Sequence, residues 1–234
     1  INYAGKVEFV TMTNVDNGID WSNSRTRDVR FRFNNITARR FGIRSSLNEP
    51  LHPISAIQTN TIRITGQGGG VNPVSGIKMD ELGLGYTPLP NQPFPLPSGL
   101  DGWEVDANSV TTELGGYGIQ YRNGFLGLLE NNVVNDEGQT SAPGTYDGMR
   151  IENSAFTEVI FNDVTRSTNA GGNAASRAIH SQAGFANGFT CNCVDNTGVG
   201  MQYLDMADFT NNVRGNKLNN HDGAGLQIGA DNIG

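Results

Sequence analysis

The feature that most constrains this chain is a motif that keeps returning: a small residue, a large apolar one, a polar one, then usually another apolar one. Copies start at Gly118 (GIQY), Gly148 (GMRI), Ala178 (AIHS), Gly200 (GMQY) and Gly225 (GLQI), with earlier ones at Gly18, Gly42, Gly76 and Gly102. They recur roughly 20–30 residues apart, the period of a stacked solenoid. Stacked on their anchors, the copies give an apolar column of Ile19, Ile43, Ile77, Trp103, Ile119, Met149, Ile179, Met201 and Leu226. The column beside it is polar throughout: Asp20, Arg44, Lys78, Glu104, Gln120, Arg150, His180, Gln202 and Gln227. The third is apolar again except at Ser45 and Ser181. In–out–in alternation is the period of a strand, not of a helix. Each copy therefore reads as one coil of an all-β, right-handed parallel β-helix, with strands of successive coils about 4.8 Å apart.

Two further columns fit a tube. Phe125, Phe156, Phe185 and Phe209 are expected to stack inside it, one per coil. Asn131, Asn162, Asn192 and Asn216, with Asn34 earlier, are expected at a recurrent turn, where Asn tolerates left-handed backbone angles and its amide can ladder to the next coil. The two cysteines, Cys191 and Cys193, sit too close in sequence for an unstrained disulfide and lack partners for zinc, so buried free thiols are expected.

The repeats leave room for one domain, spanning 1–234, and the abrupt ends at Ile1 and Gly234 are those expected of a piece of a longer protein or of a solenoid capped by partner subunits. A net charge of −7 with no dense basic cluster argues against nucleic acid as a partner, and no apolar run approaches membrane-spanning length. The one basic concentration is the series Arg25, Arg27, Arg30, Arg32, Arg39, Arg40 and Arg44, read as a solvated face or as a surface that meets an anionic glycan or a neighbouring subunit. A Pro-rich insertion over 80–99 cannot join a central ladder and is expected to loop out from the tube. Shorter excursions at 136–146 and 167–176 are expected to help wall a groove.

The glycine-anchored coils, the Asn turns and the side loops resemble the pectate-lyase-like β-helix superfamily, and most of all the shaft of bacteriophage tailspikes. The resemblance covers nearly the whole chain but is one of architecture and composition, with no family-specific catalytic motif. It implies a trimer, found in a virion tail or outside cells, that binds and cleaves bacterial surface polysaccharide. Relatives that cleave or epimerise uronate polymers imply a lyase alternative with calcium as cofactor. A non-catalytic adhesin or shaft is the third expectation.

From the residues themselves, the outward face carries Glu104 and Asp106, Gln120 and Arg122, Arg150 and Glu152, then His180 and Gln182. Glycoside hydrolysis needs two carboxyl groups, about 5–5.5 Å apart for retention or about 6.5–9.5 Å for inversion. Asp106 and Glu152 are the expected catalytic pair, in one column and about 9.6 Å apart by ladder spacing. Arg122 is expected between them, with Glu152 as acid and Asp106 as base or the reverse, and Glu104, Gln120, Arg122, Arg150, His180 and Gln182 as substrate contacts. In the lyase alternative Arg150 or His180 is the base. Asp147 and Asp163 are alternatives if the register slips by one, and Asp195, Asp205, Asp208 and Asp222 are further acidic candidates without the spacing of a calcium loop.

Overall fold

Three parallel sheets wrap one apolar core. The computed structural model describes residues 3–22, 25–51, 55–67, 74–81, 102–138, 146–166, 176–184, 186–204 and 212–229, in which strands β1 to β22 follow in chain order. The front sheet holds the second halves of β2 (Thr11–Ser22) and β4 (Asn35–Leu51), then β7 (Ser75–Glu81), β10 (Gly116–Arg122), β13 (Tyr146–Glu152), β16 (Arg177–Gln182), β19 (Val199–Leu204) and β22 (Leu226–Ile228). The side sheet holds β1 (Tyr3–Glu8), β3 (Arg25–Arg32), β5 (Ala56–Gln58), β8 (Glu104–Asp106), β11 (Leu128–Glu130), β14 (Glu158–Ile160), β17 (Gly188–Thr190) and β20 (Asn212–Arg214). The back sheet holds the first halves of β2 and β4, then β6 (Thr61–Gln67), β9 (Ser109–Leu114), β12 (Val133–Asp136), β15 (Asp163–Arg166), β18 (Cys193–Asp195) and β21 (Lys217–Asn219). Each coil runs front, side, back, and every one of these pairings is parallel, so the chain is a parallel β-helix.

Each sheet sends rows of apolar side chains inward. The front sheet gives Ile43, Ile77, Ile119, Met149 and Ile179; the side sheet Phe31, Ile57, Val105, Leu129, Val159 and Phe189; the back sheet Ile36, Ile62, Val110, Val134, Val164 and Val194, all essentially buried. The front row is the column that the repeat predicts, with one correction. Trp103 belongs to the side of the tube: Glu104 pairs with Ala56 and Leu128, while the front partner of Ile77 is Ile119. The GWEV segment mimics the motif without occupying its place.

The anchor glycines mark a bend rather than a strand alternation. A Cβ on Gly148 would lie 2.1 Å from Cγ1 of Val164 and 2.7 Å from the carbonyl oxygen of Ala178, and Gly118 and Gly76 stand the same way against Val134 and Val110. The glycine thus faces the core next to an inward Ile or Met, and the residue before it turns outward. Gly148→Ala is expected to destabilise by roughly 1–3 kcal/mol through overpacking, and adding Val164→Ala should recover part of that loss. Denaturant melting of the single and double variants checks this; equal midpoints for Gly148→Ala and the wild type would refute the bend.

One corner carries an asparagine ladder. Asn34, Asn60, Asn108, Asn132, Asn162 and Asn192 each use Nδ2 to donate to Oδ1 of the next rung at 2.9–3.0 Å, ending on Asn216. The expected turn is there, but its rung is Asn132 instead of Asn131, and Asn60 and Asn108 join it. Asn131 is the exposed residue just before the rung, with φ 53°. Phe33, Thr59, Ala107, Phe161 and Cys191 hold the equivalent left-handed corner, each just before a ladder asparagine, and Phe9 holds it before Val10, whose backbone N–H donates to Oδ1 of Asn34.

The Phe column is also corrected. Phe125 and Phe156 are only half-buried, and Phe125 pairs with Ala155 rather than Phe156, so their rings meet edge-on at the front–side corner and not in the core. Phe185, Phe209 and the greater part of the Pro-rich insertion and of the two shorter excursions lie outside the described residues. The thiols are free, but neither is buried as expected: Cys191 is exposed and Cys193 half-buried.

Candidate functional site

The outward bend at each glycine aligns three outward columns on the front sheet. Asp147 precedes the anchor, Arg150 follows it by two and Glu152 by four; Arg177, His180 and Gln182 take the same places one coil on, and Tyr117, Gln120 and Arg122 one coil back. Of the expected site residues, this brings together Gln120, Arg122, Arg150, Glu152, His180 and Gln182. It adds Asp147, expected only if the register slipped by one and reached instead through the bend, and Arg177, which the anchor-based reading missed. The position before each anchor, Ala178 included, was the signal that could have found Arg177.

Asp147 is fully buried. Its Oδ1 accepts from Nε of Arg177 at 2.6 Å; its Oδ2 accepts from Nη1 of Arg150 at 2.9 Å and faces Nδ1 of His180 at 3.2 Å. Glu152 accepts from Nη2 of Arg150 at 2.6 Å and from Nε2 of Gln120 at 3.0 Å, with Nε of Arg122 at 3.1 Å. Arg150 thus spans both carboxylates and lies over the ring of Tyr117, 5.2 Å from its centre. Burial pushes the Asp147 carboxyl up, but the His180 hydrogen bond and the Arg177 and Arg150 charges outweigh it and hold it below the usual carboxylate range. Glu152 is likewise lowered, burial being outweighed by Arg150, Gln120 and Arg122. Burial works against the charge of Arg150, yet its hydrogen bond to Glu152 and the two carboxylate charges keep its pKa raised. Arg150 is therefore no base and Glu152 no reservoir of a proton. Beside them Nε2 of His180 and Oε1 of Gln120 are buried and unpartnered.

Asp106 and Glu104 stand elsewhere. Asp106 lies on the side sheet between Gln58 and Glu130, so the expected Asp106–Glu152 pair does not exist: the two belong to different sheets. The misplacement follows from reading GWEV as a front-sheet anchor. The real neighbour of Asp106 is Glu130, one coil away, which sequence reasoning missed; aligned on the ladder, both residues stand two before an Asn (Asn108 and Asn132). Oxygens of Glu104, Asp106 and Glu130 lie within 4.8 Å of one another, close enough to converge on one cation. Nε2 of Gln58 donates to Glu104, and Nδ2 of Asn131 donates to Asp106 at 3.1 Å. Burial, then the charges of Asp106 and Glu104, push the Glu130 carboxyl up.

No protein-family model, curated protein or solved structure matches this chain. The chemistry of the two clusters therefore rests on their geometry. The front cluster holds two carboxylates kept below their usual range; the side cluster holds three carboxyls, of which Glu130 is pushed up. Of the other acidic candidates, Asp163 lies on the back sheet, Asp195 accepts from Nδ2 of Asn220 at 2.9 Å, and Asp205 and Asp208 fall outside the described residues.

Proposed function

We propose that this β-helix binds a bacterial surface polysaccharide, a capsule or an O-antigen, and hydrolyses it as a tailspike-like endo-glycosidase. In this reading it acts outside the cell or on a virion tail, as a trimer. The observation that carries the hydrolytic step is Glu130: a carboxyl with a raised pKa, one coil from Asp106 and with oxygens within 4.8 Å of it. A glycosidase acid is a carboxyl whose pKa its surroundings raise, and oxygens within 4.8 Å are nearer the retaining separation of about 5–5.5 Å than the inverting one. Glu130 donates the proton to the leaving oxygen and Asp106 attacks the anomeric carbon; water then releases the product with Glu130 as base.

Purified protein incubated with a panel of capsular and O-antigen polysaccharides should release reducing ends without new ultraviolet absorbance. Glu130→Gln should slow this by about 100-fold or more, the scale of losing a general acid. Activity should fall as pH rises through the raised pKa of Glu130. Undiminished cleavage by Glu130→Gln would overturn the assignment.

A uronate lyase or epimerase is the second reading, favoured by His180: its Nδ1 faces an ionised Asp147, which leaves Nε2 as the basic nitrogen. That nitrogen is closed off from solvent, which places this reading second. Calcium belongs to it, with Glu104, Asp106 and Glu130 as the carboxylates able to hold the ion. Reducing ends accompanied by ultraviolet absorbance would establish it.

A further inference from the structure

On the front sheet, Arg44, Lys78 and Gln120 succeed one another in register, and Asp80 and Arg122 do so one column over. Phe41, 5 % exposed, sits beneath them. The ammonium of Lys78 is 5.6 Å from the centre of its ring, and the guanidiniums of Arg44 and Arg40 are 5.2 and 5.5 Å away. Three cations thus share the face of one ring. Arg44 is paired with Asp20, and Arg122 with Glu152 and more loosely with Asp80, whose Oδ1 already accepts from Asn123 at 2.7 Å. Lys78 has no ion pair among the described residues. Burial first, then the positive charge of Arg122, hold its ammonium below the usual lysine range. A half-buried, unpaired ammonium between two guanidiniums is a place where an oxyanion is favoured.

We infer that Lys78, flanked by Arg44 and Arg122 above Phe41, forms a subsite for the carboxylate or sulfate of an acidic polysaccharide. The inference rests on the glycan-binding reading above and names the substrate class. The subsite and the carboxyl pair occupy the same two coils on two sheets: β7 pairs with β10 on the front sheet, and β8 with β11 on the side sheet.

The test uses Glu130→Gln protein, so that binding is read without turnover. Calorimetric titration with polygalacturonate, alginate and a sulfated glycan is compared with fully methyl-esterified polygalacturonate and with sodium sulfate alone. At least one acidic polymer should bind about tenfold or more tightly than the ester, a difference of about 1.4 kcal/mol. Lys78→Met should remove most of that preference, leave binding of the ester unchanged, and be rescued by Lys78→Arg. Equal binding of acid and ester, no binding of any acidic polymer, or an acid preference that survives both Lys78→Met and Arg122→Met overturns the subsite. Sulfate binding that needs Lys78 without any polymer preference reduces it to a small-anion site and overturns the glycan assignment. The hydrolase reading fails separately, through cleavage that Glu130→Gln leaves intact.

Discussion

Asn132→Ala is expected to lower the unfolding free energy by about 3–5 kcal/mol, more than most single substitutions. The side chain is fully buried. Its Oδ1 accepts from the backbone N–H of Asn108 at 3.1 Å and from Nδ2 of Asn108 at 3.0 Å, and its Nδ2 donates to the carbonyl of Val105 at 2.8 Å and to Oδ1 of Asn162 at 3.0 Å. Truncation strands groups on the coil before it and the coil after it, in a place that water does not reach, and each stranded group costs roughly 1–3 kcal/mol. The neighbouring Asn131 is the internal control. It is exposed and left-handed, so Asn131→Gly, which suits φ 53° without steric cost, should stay within about 0.5 kcal/mol of the wild type. Denaturant melting of the two variants side by side decides the matter; similar midpoints would mean that the ladder contributes little.

The second large effect is expected at Asp147. Asp147→Asn keeps the shape but removes the charge that faces Arg150 and Arg177, leaving Arg177 without its counter-ion and Arg150 with Glu152 alone; about 3–5 kcal/mol is the scale of breaking such a buried pair. The same network predicts a pH dependence. Asp147 and Glu152 both have folded pKa values below those of the unfolded chain, where carboxyls titrate near about 4. The native state therefore binds fewer protons, and its stabilisation is fully present above the unfolded pKa and lost as pH falls through the folded values. Melting temperature should drop on acidification below about pH 4, and Asp147→Asn should flatten that drop. A variant as acid-sensitive as the wild type would show that these carboxylates do not set the acid limit.

Much of the front sheet is legible in the sequence because one residue type marks the bend. Wherever Gly118, Gly148 or Gly76 stands, the apolar residue after it is in the core. The chemistry was harder to place because Gly102-Trp103-Glu104-Val105 satisfies the same pattern for a different reason: Trp103 fills the core from the side sheet, above Phe31. That one misassigned coil put Asp106 opposite Glu152 and hid Glu130. Asn131 and Asn132 are adjacent and chemically identical, and only the backbone tells the left-handed corner from the rung. Phe125 and Phe156 recur with the coil yet belong to a corner, where periodicity alone says nothing about depth. Arg177 needed the bend to be recognised, since strict alternation would have turned the residue before an anchor inward.

The rungs of the ladder are separated by 26, 48, 24, 30, 30 and 24 residues along the chain, yet each makes the same contact with the next. The corner thus acts as a ruler that is blind to contour length. Doubling the chain between two rungs adds only about 0.6 kcal/mol of closure entropy, because that cost grows with the logarithm of length. Segments between rungs can grow or shrink while the pitch of the tube stays fixed, so the outer surface is free to vary in sequence and size without any retuning of the interior.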